Sequence, residues 1–207
     1  MPKSDRPRFY LITPSSVNLA SFADTLAATL DAHDVACVRL ALGDVEEHAY
    51  VKAADALRPV CEARDVALVI SEHYRLAHRL GLDGVHLTDG ARQVREARKS
   101  LGDDAIVGTF AHTSRHDGLT AGEAGADYIS FGPVTQSTLG DGLLAPIELF
   151  RWWSEMIEIP VVAEGGLAPE VAAKIGAFTD FVALGKEIWS HPSGPVAALD
   201  EFAAAFD

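Results

Sequence analysis

The chain has 207 residues, 48% hydrophobic and 23% charged, a composition typical of one globular domain with a substantial core. Asp and Glu number 30 against 17 Lys and Arg, so the formal charge is −13 at pH 7. Nucleic acids and anionic membranes attract cationic surfaces, so this charge argues against either partner. No apolar run has the length of a membrane span, and the two cysteines lack metal-ligand spacing. We therefore expect a cytoplasmic protein.

Short apolar segments alternate with helical stretches along the whole chain. The apolar segments do not alternate with polar residues, which is typical of parallel strands buried on both faces. Between them, Phe22, Leu26 and Leu30 form a helical stripe. Eight such units predict a single (β/α)8 TIM barrel over residues 1–207, with an open doubly wound sheet as the alternative. The eight predicted strands are Phe9–Thr13, Ala36–Leu40, Ala67–Ile70, Gly84–Leu87, Ile106–Thr109, Tyr128–Phe131, Val161–Ala163 and Phe181–Leu184.

One sequence pattern occurs in three segments, which are Gly81–Leu87, Gly125–Phe131 and Gly176–Leu184. Each begins with a glycine that we expect to end a helix, continues through an aspartate and enters a buried strand. Repetition of one αβ unit favours a barrel built of modules over a mixed sheet.

Arg39 lies in the otherwise apolar second strand. A buried guanidinium without a partner is very costly, so Arg39 is predicted to face an anion at the mouth of the barrel, where functional side chains follow strand ends. The alternative is a structural ion pair with an acidic neighbour such as Glu72. Cys37 lies on the same strand face. We expect it to line the site as a small residue and not to act as a nucleophile.

Two acids follow the third and fourth strands and are candidate Mg²⁺ ligands, because Mg²⁺ prefers carboxylate oxygens. Glu72 has two other interpretations, pairing with Arg39 or interacting with the start of the next helix. Asp89 is the weaker metal candidate. His86, in the fourth strand, either binds a ligand or donates to a carbonyl of a neighbouring strand.

His112 follows the fifth strand and directly precedes Thr113, a predicted helix N-cap. This position suits a general acid or base, and the alternative is a loop histidine bonded to backbone. The loop after the sixth strand, Gly132–Gly142, is long, polar and rich in glycine. Its polar side chains are predicted to donate to phosphate oxygens and the loop itself to act as a mobile lid, unless the loop is simply solvated. These side chains are Gln136, Ser137 and Thr138.

The last two strands both end in glycine, at Gly165, Gly166 and Gly185. Glycine lets backbone N–H groups approach a ligand closely, and the loops after strands seven and eight of such barrels often hold a phosphate. The tandem arrangement therefore predicts a phosphorylated small-molecule ligand. In the alternative, these glycines only permit tight turns. Lys186 either adds positive charge at the phosphate or points into water.

At these residues the chain resembles the thiamine phosphate synthase family and its relative, the thiazole tautomerase. The most specific segments are Leu82–Leu87, Gly125–Val134 and Ile159–Gly166. The resemblance implies a (β/α)8 barrel. It also implies a reaction in which a hydroxymethylpyrimidine diphosphate is joined to a thiazole phosphate, releasing diphosphate with help from Mg²⁺.

Several positions depart from the family's pattern. The second-strand motif keeps only Arg39, the first metal aspartate is replaced by Glu72, and the second falls on Ala91. The serine near the fifth strand falls on Phe110, and the lysine of the sixth loop is replaced by Gly140.

Loss of a diphosphate needs cationic neutralisation, so these departures argue against normal coupling activity and against tight Mg²⁺ binding. The first hypothesis is a divergent synthase that uses Glu72 or Asp89 for Mg²⁺. The alternatives are a metal-free isomerase with His112 as the proton carrier, or a non-catalytic protein that binds a phosphorylated metabolite. We also expect a homodimer.

Overall fold

Eight parallel strands close into a barrel in the computed structural model, which describes residues 6–207. Each strand pairs with the next along the chain, and β8 pairs with β1, which closes the sheet. This closure confirms the predicted (β/α)8 barrel and excludes the open sheet. The strands are β1 Arg8–Ile12, β2 Val35–Leu40, β3 Ala67–Ser71, β4 Gly84–Leu87, β5 Ile106–Phe110, β6 Tyr128–Phe131, β7 Val161–Glu164 and β8 Phe181–Leu184. The first five residues of the predicted 1–207 domain lie outside the described residues.

Helices follow the strands and cover the outside of the barrel. A short 3₁₀ helix, Gly176–Phe178, continues α7. No helix within residues 6–207 is long and apolar enough to cross a membrane. The helices are α1 Leu19–Ala32, α2 Glu47–Glu62, α3 Tyr74–Leu80, α4 Val94–Leu101, α5 Arg115–Glu123, α6 Ile147–Met156, α7 Pro169–Ile175, α8 Lys186–Trp189 and α9 Gly194–Ala204.

The core has two layers, one between strands and helices and one inside the barrel. In the outer layer, the predicted stripe of α1 is buried at Phe22, Leu26 and Leu30. This burial is the expected result of apolar residues on one face of a helix. The inner layer is smaller and contains two tyrosines. Its members are Tyr10, Cys37, Val69, Tyr128, Val162 and Ala183.

The repeated glycine–aspartate segments have a structural role at the end of the barrel where strands begin. In each, aspartate Oδ2 accepts a hydrogen bond from a backbone amide near the start of the preceding strand. The pairs are Asp83 with Leu68 at 2.7 Å, Asp127 with Val107 at 2.7 Å and Asp180 with Val161 at 2.8 Å. Gly81 ends its helix in the left-handed conformation, but Gly176 has φ −55° and starts the 3₁₀ helix instead. These aspartates therefore join neighbouring strands, at the end opposite to the candidate site.

Candidate functional site

A buried ion pair crosses the barrel interior. The side chains of Arg39 and Glu164 are only 7% and 5% exposed. Arg39 donates from Nη1 to Glu164 Oε2 at 3.2 Å and from Nη2 to Oε1, and Ser130 Oγ donates to Oε2 at 2.8 Å. Burial alone would lower the pKa of Arg39, but the Glu164 carboxylate, together with Tyr10 and Tyr128, outweighs burial and raises this pKa. Arg39 is therefore charged and paired, and its acidic partner is Glu164 and not Glu72.

A chain of neutral groups lies beside this pair. The hydroxyls of Tyr10 and Tyr128 are 2.8 Å apart, and Tyr128 Oη lies 2.8 Å from Nδ1 of His86. Burial raises the pKa of both tyrosines, and burial together with the Arg39 charge lowers the pKa of His86. All three rings are therefore neutral at physiological pH. His86 bonds a tyrosine hydroxyl, a partner that neither sequence interpretation contained.

Two nitrogen atoms in this interior have no hydrogen-bond partner within residues 6–207. They are Nε of Arg39 and Nε2 of His86. Cys37 is buried in the same inner layer, and burial raises the pKa of its thiol to about 12. The thiol is therefore protonated at neutral pH, which makes it a poor nucleophile.

The two candidate metal ligands already have partners. Glu72 Oε1 accepts from the Thr88 amide at 2.8 Å and from the Thr88 hydroxyl, and Asp89 Oδ2 accepts from Gln93 at 2.9 Å. Asp89 Oδ1 has no partner, but it is shielded from solvent. No group of three or more His, Cys, Asp or Glu side chains within residues 6–207 is placed to hold a metal ion. This donor set does not fit a protein-built metal centre, and we derive no chemical step through Mg²⁺.

A cavity of about 540 Å³ opens beside Glu72. Its walls carry three carboxylates, from Glu47, Glu72 and Glu96, against a single arginine, Arg75, and none of the glycine turns lines it. Like charges repel at short range, so this acidic cavity is unsuited to a phosphate group.

The two glycine turns converge on one carboxylate, and that carboxylate belongs to the chain itself. The Gly166 amide donates to Glu187 Oε1 at 3.2 Å, and the Gly185 amide donates to Oε2 at 2.9 Å. Gly165 and Gly166 have φ +90° and +71°, a conformation that favours glycine. The two turns are thus close enough together to share one phosphate, as predicted. In this structure the Glu187 carboxylate occupies the position predicted for the ligand. Lys186 is exposed.

The loop after β6 lies across the turn after β7. The amide of Val134 and the hydroxyl of Thr135 donate to the carbonyl groups of Gly165 and Gly166, respectively. A methyl group on Gly165 would come within 2.9 Å of Leu139 in the same loop. The three predicted phosphate-binding side chains directly follow Thr135 in the loop, and all three are exposed to solvent. They are Gln136, Ser137 and Thr138.

His112 lies half-buried next to the same loop. A Cβ built on Gly140 would stand 3.4 Å from its Nδ1, and its ring centroid is 4.6 Å from that of Phe110. His112 has φ +53°, an unusual value for a non-glycine residue. The predicted cap at Thr113 is wrong, because Ser114 caps α5 by accepting from the Asp117 amide at 3.1 Å. Loops after four strands therefore meet here, bringing His112 and the loop after β6 to the glycine turns.

The sequence interpretation missed two acids that define this region. Glu164 stands in an apolar strand, as Arg39 does, and that shared anomaly was a usable signal. Glu187 follows a glycine turn in a charged stretch, so nothing in the sequence separated it from surface acids. Gly108 was also missed, although a side chain there would overlap the ring of Tyr128.

The fold and the converging glycine turns define a (β/α)8 barrel with an anion-binding turn pair at the mouth. A family model described as thiamine monophosphate synthase matches residues 9–188. The chain is 46% identical to thiamine-phosphate synthase of Rhodospirillum centenum over 94% of this chain and 95% of that protein. It is 37% identical to the thiamine-phosphate synthase of Hyphomonas neptunium over 98% and 95% of the two chains. The chain therefore belongs to the thiamine phosphate synthase family, which confirms the resemblance.

The fold is also similar to that of a solved structure, thiamine phosphate pyrophosphorylase from Pyrococcus furiosus. The TM-score is 0.83 at 20% identity, over 96% of this chain and 95% of that one. At this identity the likeness supports the fold alone.

Proposed function

We propose that this chain binds a phosphorylated heterocycle of the thiazole phosphate type, with its phosphate at the amides of Gly166 and Gly185. One observation carries the proposal: amides from turns on two neighbouring strands already donate to one anionic group. Backbone N–H groups that converge in this way are suited to phosphate oxygens. Family membership supports the thiazole type, because the relatives are named for thiamine phosphate synthesis.

Binding is testable by thermal unfolding with added thiazole phosphate. A ligand at about one hundred times its dissociation constant stabilises the folded state by about 2.7 kcal/mol. For a chain of this size, that corresponds to a rise in Tm of about 5 to 11 °C. If no phosphorylated heterocycle changes the Tm, the binding proposal is wrong.

In the family reaction, a thiazole nitrogen attacks the methylene carbon of the pyrimidine diphosphate. The C–N bond forms, the C–O bond breaks, and the diphosphate departs with the bonding electrons. We propose that this chain performs the coupling slowly. The cation nearest the interior, Arg39, is already neutralised by Glu164, and Lys186 is exposed. Each missing electrostatic stabiliser costs about 10²-fold or more in turnover.

A coupling assay with both substrates tests this rate, with excess Mg²⁺ and again with a chelator. We expect thiamine phosphate to form at least about 10²-fold more slowly than with a family member that keeps the lysine of the second-strand motif and the lysine of the sixth loop. A comparable rate would refute the proposal of weak coupling. Dependence on added Mg²⁺ would show that the metal acts in the substrate complex, where the diphosphate supplies oxygen ligands.

A specific observation favours a second candidate, a metal-free isomerase. His112 lies half-buried against the loop after β6, at the same mouth as the glycine turns. There its imidazole would take a proton from one position of a thiazole phosphate and return it to another, which leaves the overall charge unchanged. His112→Asn should abolish isomerisation, whereas His116→Asn, on the exposed face of α5, should not. Unchanged turnover in His112→Asn would exclude this function.

A further inference from the structure

We infer that Glu187 competes with phosphate for the two glycine amides and thereby sets the affinity of the site. This inference rests on the proposed phosphate site. The carboxylate of Glu187 accepts from both Gly166 and Gly185, one bond to each oxygen. A carboxylate and a phosphate are both anionic groups that accept hydrogen bonds from amides. They therefore cannot occupy this position together.

The geometry leaves Glu187 able to move away from the amides, as a competitor must. Gly166 and Gly185 belong to different turns and are half-buried, as is Glu187, so the cluster lies at the surface of the mouth. Glu187 reaches the amides with a side chain that has three rotatable bonds, and rotation about them can remove the carboxylate without moving the backbone. After such a rotation, both N–H groups face a vacated anion position.

The competition has a calculable effect on affinity. When only a fraction of molecules has the binding position free, the apparent dissociation constant is the intrinsic value divided by that fraction. Hydrogen bonds to a charged acceptor are stronger than neutral ones, and phosphate must replace two of them. If the position is free in about one molecule in ten, removing the carboxylate lowers the dissociation constant about ten-fold.

The experiment follows the backbone amide resonances of Gly166 and Gly185 by NMR while inorganic phosphate, and separately thiazole phosphate, is added. Wild type is compared with Glu187→Ala and Glu187→Gln, the second keeping the side-chain shape without its charge. Glu170→Gln is the matched control, because this exposed glutamate in the first turn of α7 has the same charge. Thermal unfolding of each variant verifies that it is folded.

We expect both amides to shift, with dissociation constants about ten-fold lower in Glu187→Ala than in wild type. Glu187→Gln should be intermediate and Glu170→Gln unchanged. Equal affinities in wild type and Glu187→Ala would overturn the competition and leave the phosphate site intact. A gain in Glu170→Gln as large as in Glu187→Gln would also overturn it, because the effect would then be general charge repulsion. If neither amide responds in any protein, the proposed phosphate site is itself wrong.

Discussion

Replacing Glu164 by glutamine should destabilise the barrel strongly, because it leaves the Arg39 guanidinium charged and unpaired in the interior. Both side chains are at least nine-tenths buried, so water cannot replace the lost carboxylate. Removing one partner of a buried ion pair typically costs about 3 to 5 kcal/mol. The glutamine oxygen can still accept one bond from Arg39 or Ser130, so we expect a value near 3 kcal/mol, at the lower end of this range.

Urea denaturation and scanning calorimetry measure this loss. For a chain of this size, about 3 to 5 kcal/mol corresponds to a fall in Tm of about 6 to 20 °C. The matched control is Glu62→Gln, which breaks the Arg58–Glu62 pair on α2, where the side chains are 40% and 60% exposed. An exposed pair at this helical spacing contributes only about 0.3 to 0.5 kcal/mol.

A double variant separates loss of the pair from loss of one partner. Arg39→Met with Glu164→Leu removes both charges, and buried pairs replaced by apolar residues are often neutral in stability. We therefore expect this variant to be more stable than Glu164→Gln. If Glu164→Gln loses no more stability than the surface control, burial does not increase the contribution of the Arg39–Glu164 pair to the free energy of unfolding. That result would refute the reasoning.

Three further predictions concern single residues. Burial lowers the pKa of His86 in the folded protein, so below about pH 6.5 the unfolded chain binds more protons than the folded chain. The free energy of unfolding therefore decreases as the pH is lowered through this range. In urea titrations, wild type should lose about 2 kcal/mol more than His86→Gln between pH 7 and pH 5, and equal slopes would contradict this. Gly166→Ala should cost about 1 to 3 kcal/mol, because φ is +71° and Cβ would meet the Thr135 hydroxyl. Gly142→Ala, with φ +89° and open space around it, should lose less in the same denaturation assay. Cys37, whose pKa is about 12, should resist alkylation by iodoacetamide at pH 8 until the protein unfolds, as mass spectrometry can show.

The strands could be predicted from sequence almost completely. All eight lie within one residue of their predicted ends, because uninterrupted apolar runs are buried on both faces of the barrel. The glycine turns of the last two strands also lie together as predicted, since consecutive parallel strands end on the same side of the sheet.

The partner of Arg39 could be anticipated only in part. A guanidinium within an apolar strand requires an anion, and the sequence indicated this requirement. The anion is Glu164, 125 residues away, which reaches Arg39 only because the barrel closes. Glu72, near in sequence, instead bonds the backbone and side chain of Thr88.

Glu187 could not have been predicted. Glycines at a strand end indicate accessible amides, but they do not show which acceptor those amides bind. The answer depends on two turns that lie 19 to 20 residues apart in the chain and come together only after β7 and β8 pair. A charged side chain that follows one turn then reaches both.

A crystal structure with thiazole phosphate bound would examine the proposed site itself. We expect the phosphate oxygens within hydrogen-bond distance of the Gly166 and Gly185 amides, with the Glu187 carboxylate rotated away. A phosphate bound elsewhere, while Glu187 still accepts from both amides, would contradict this proposal.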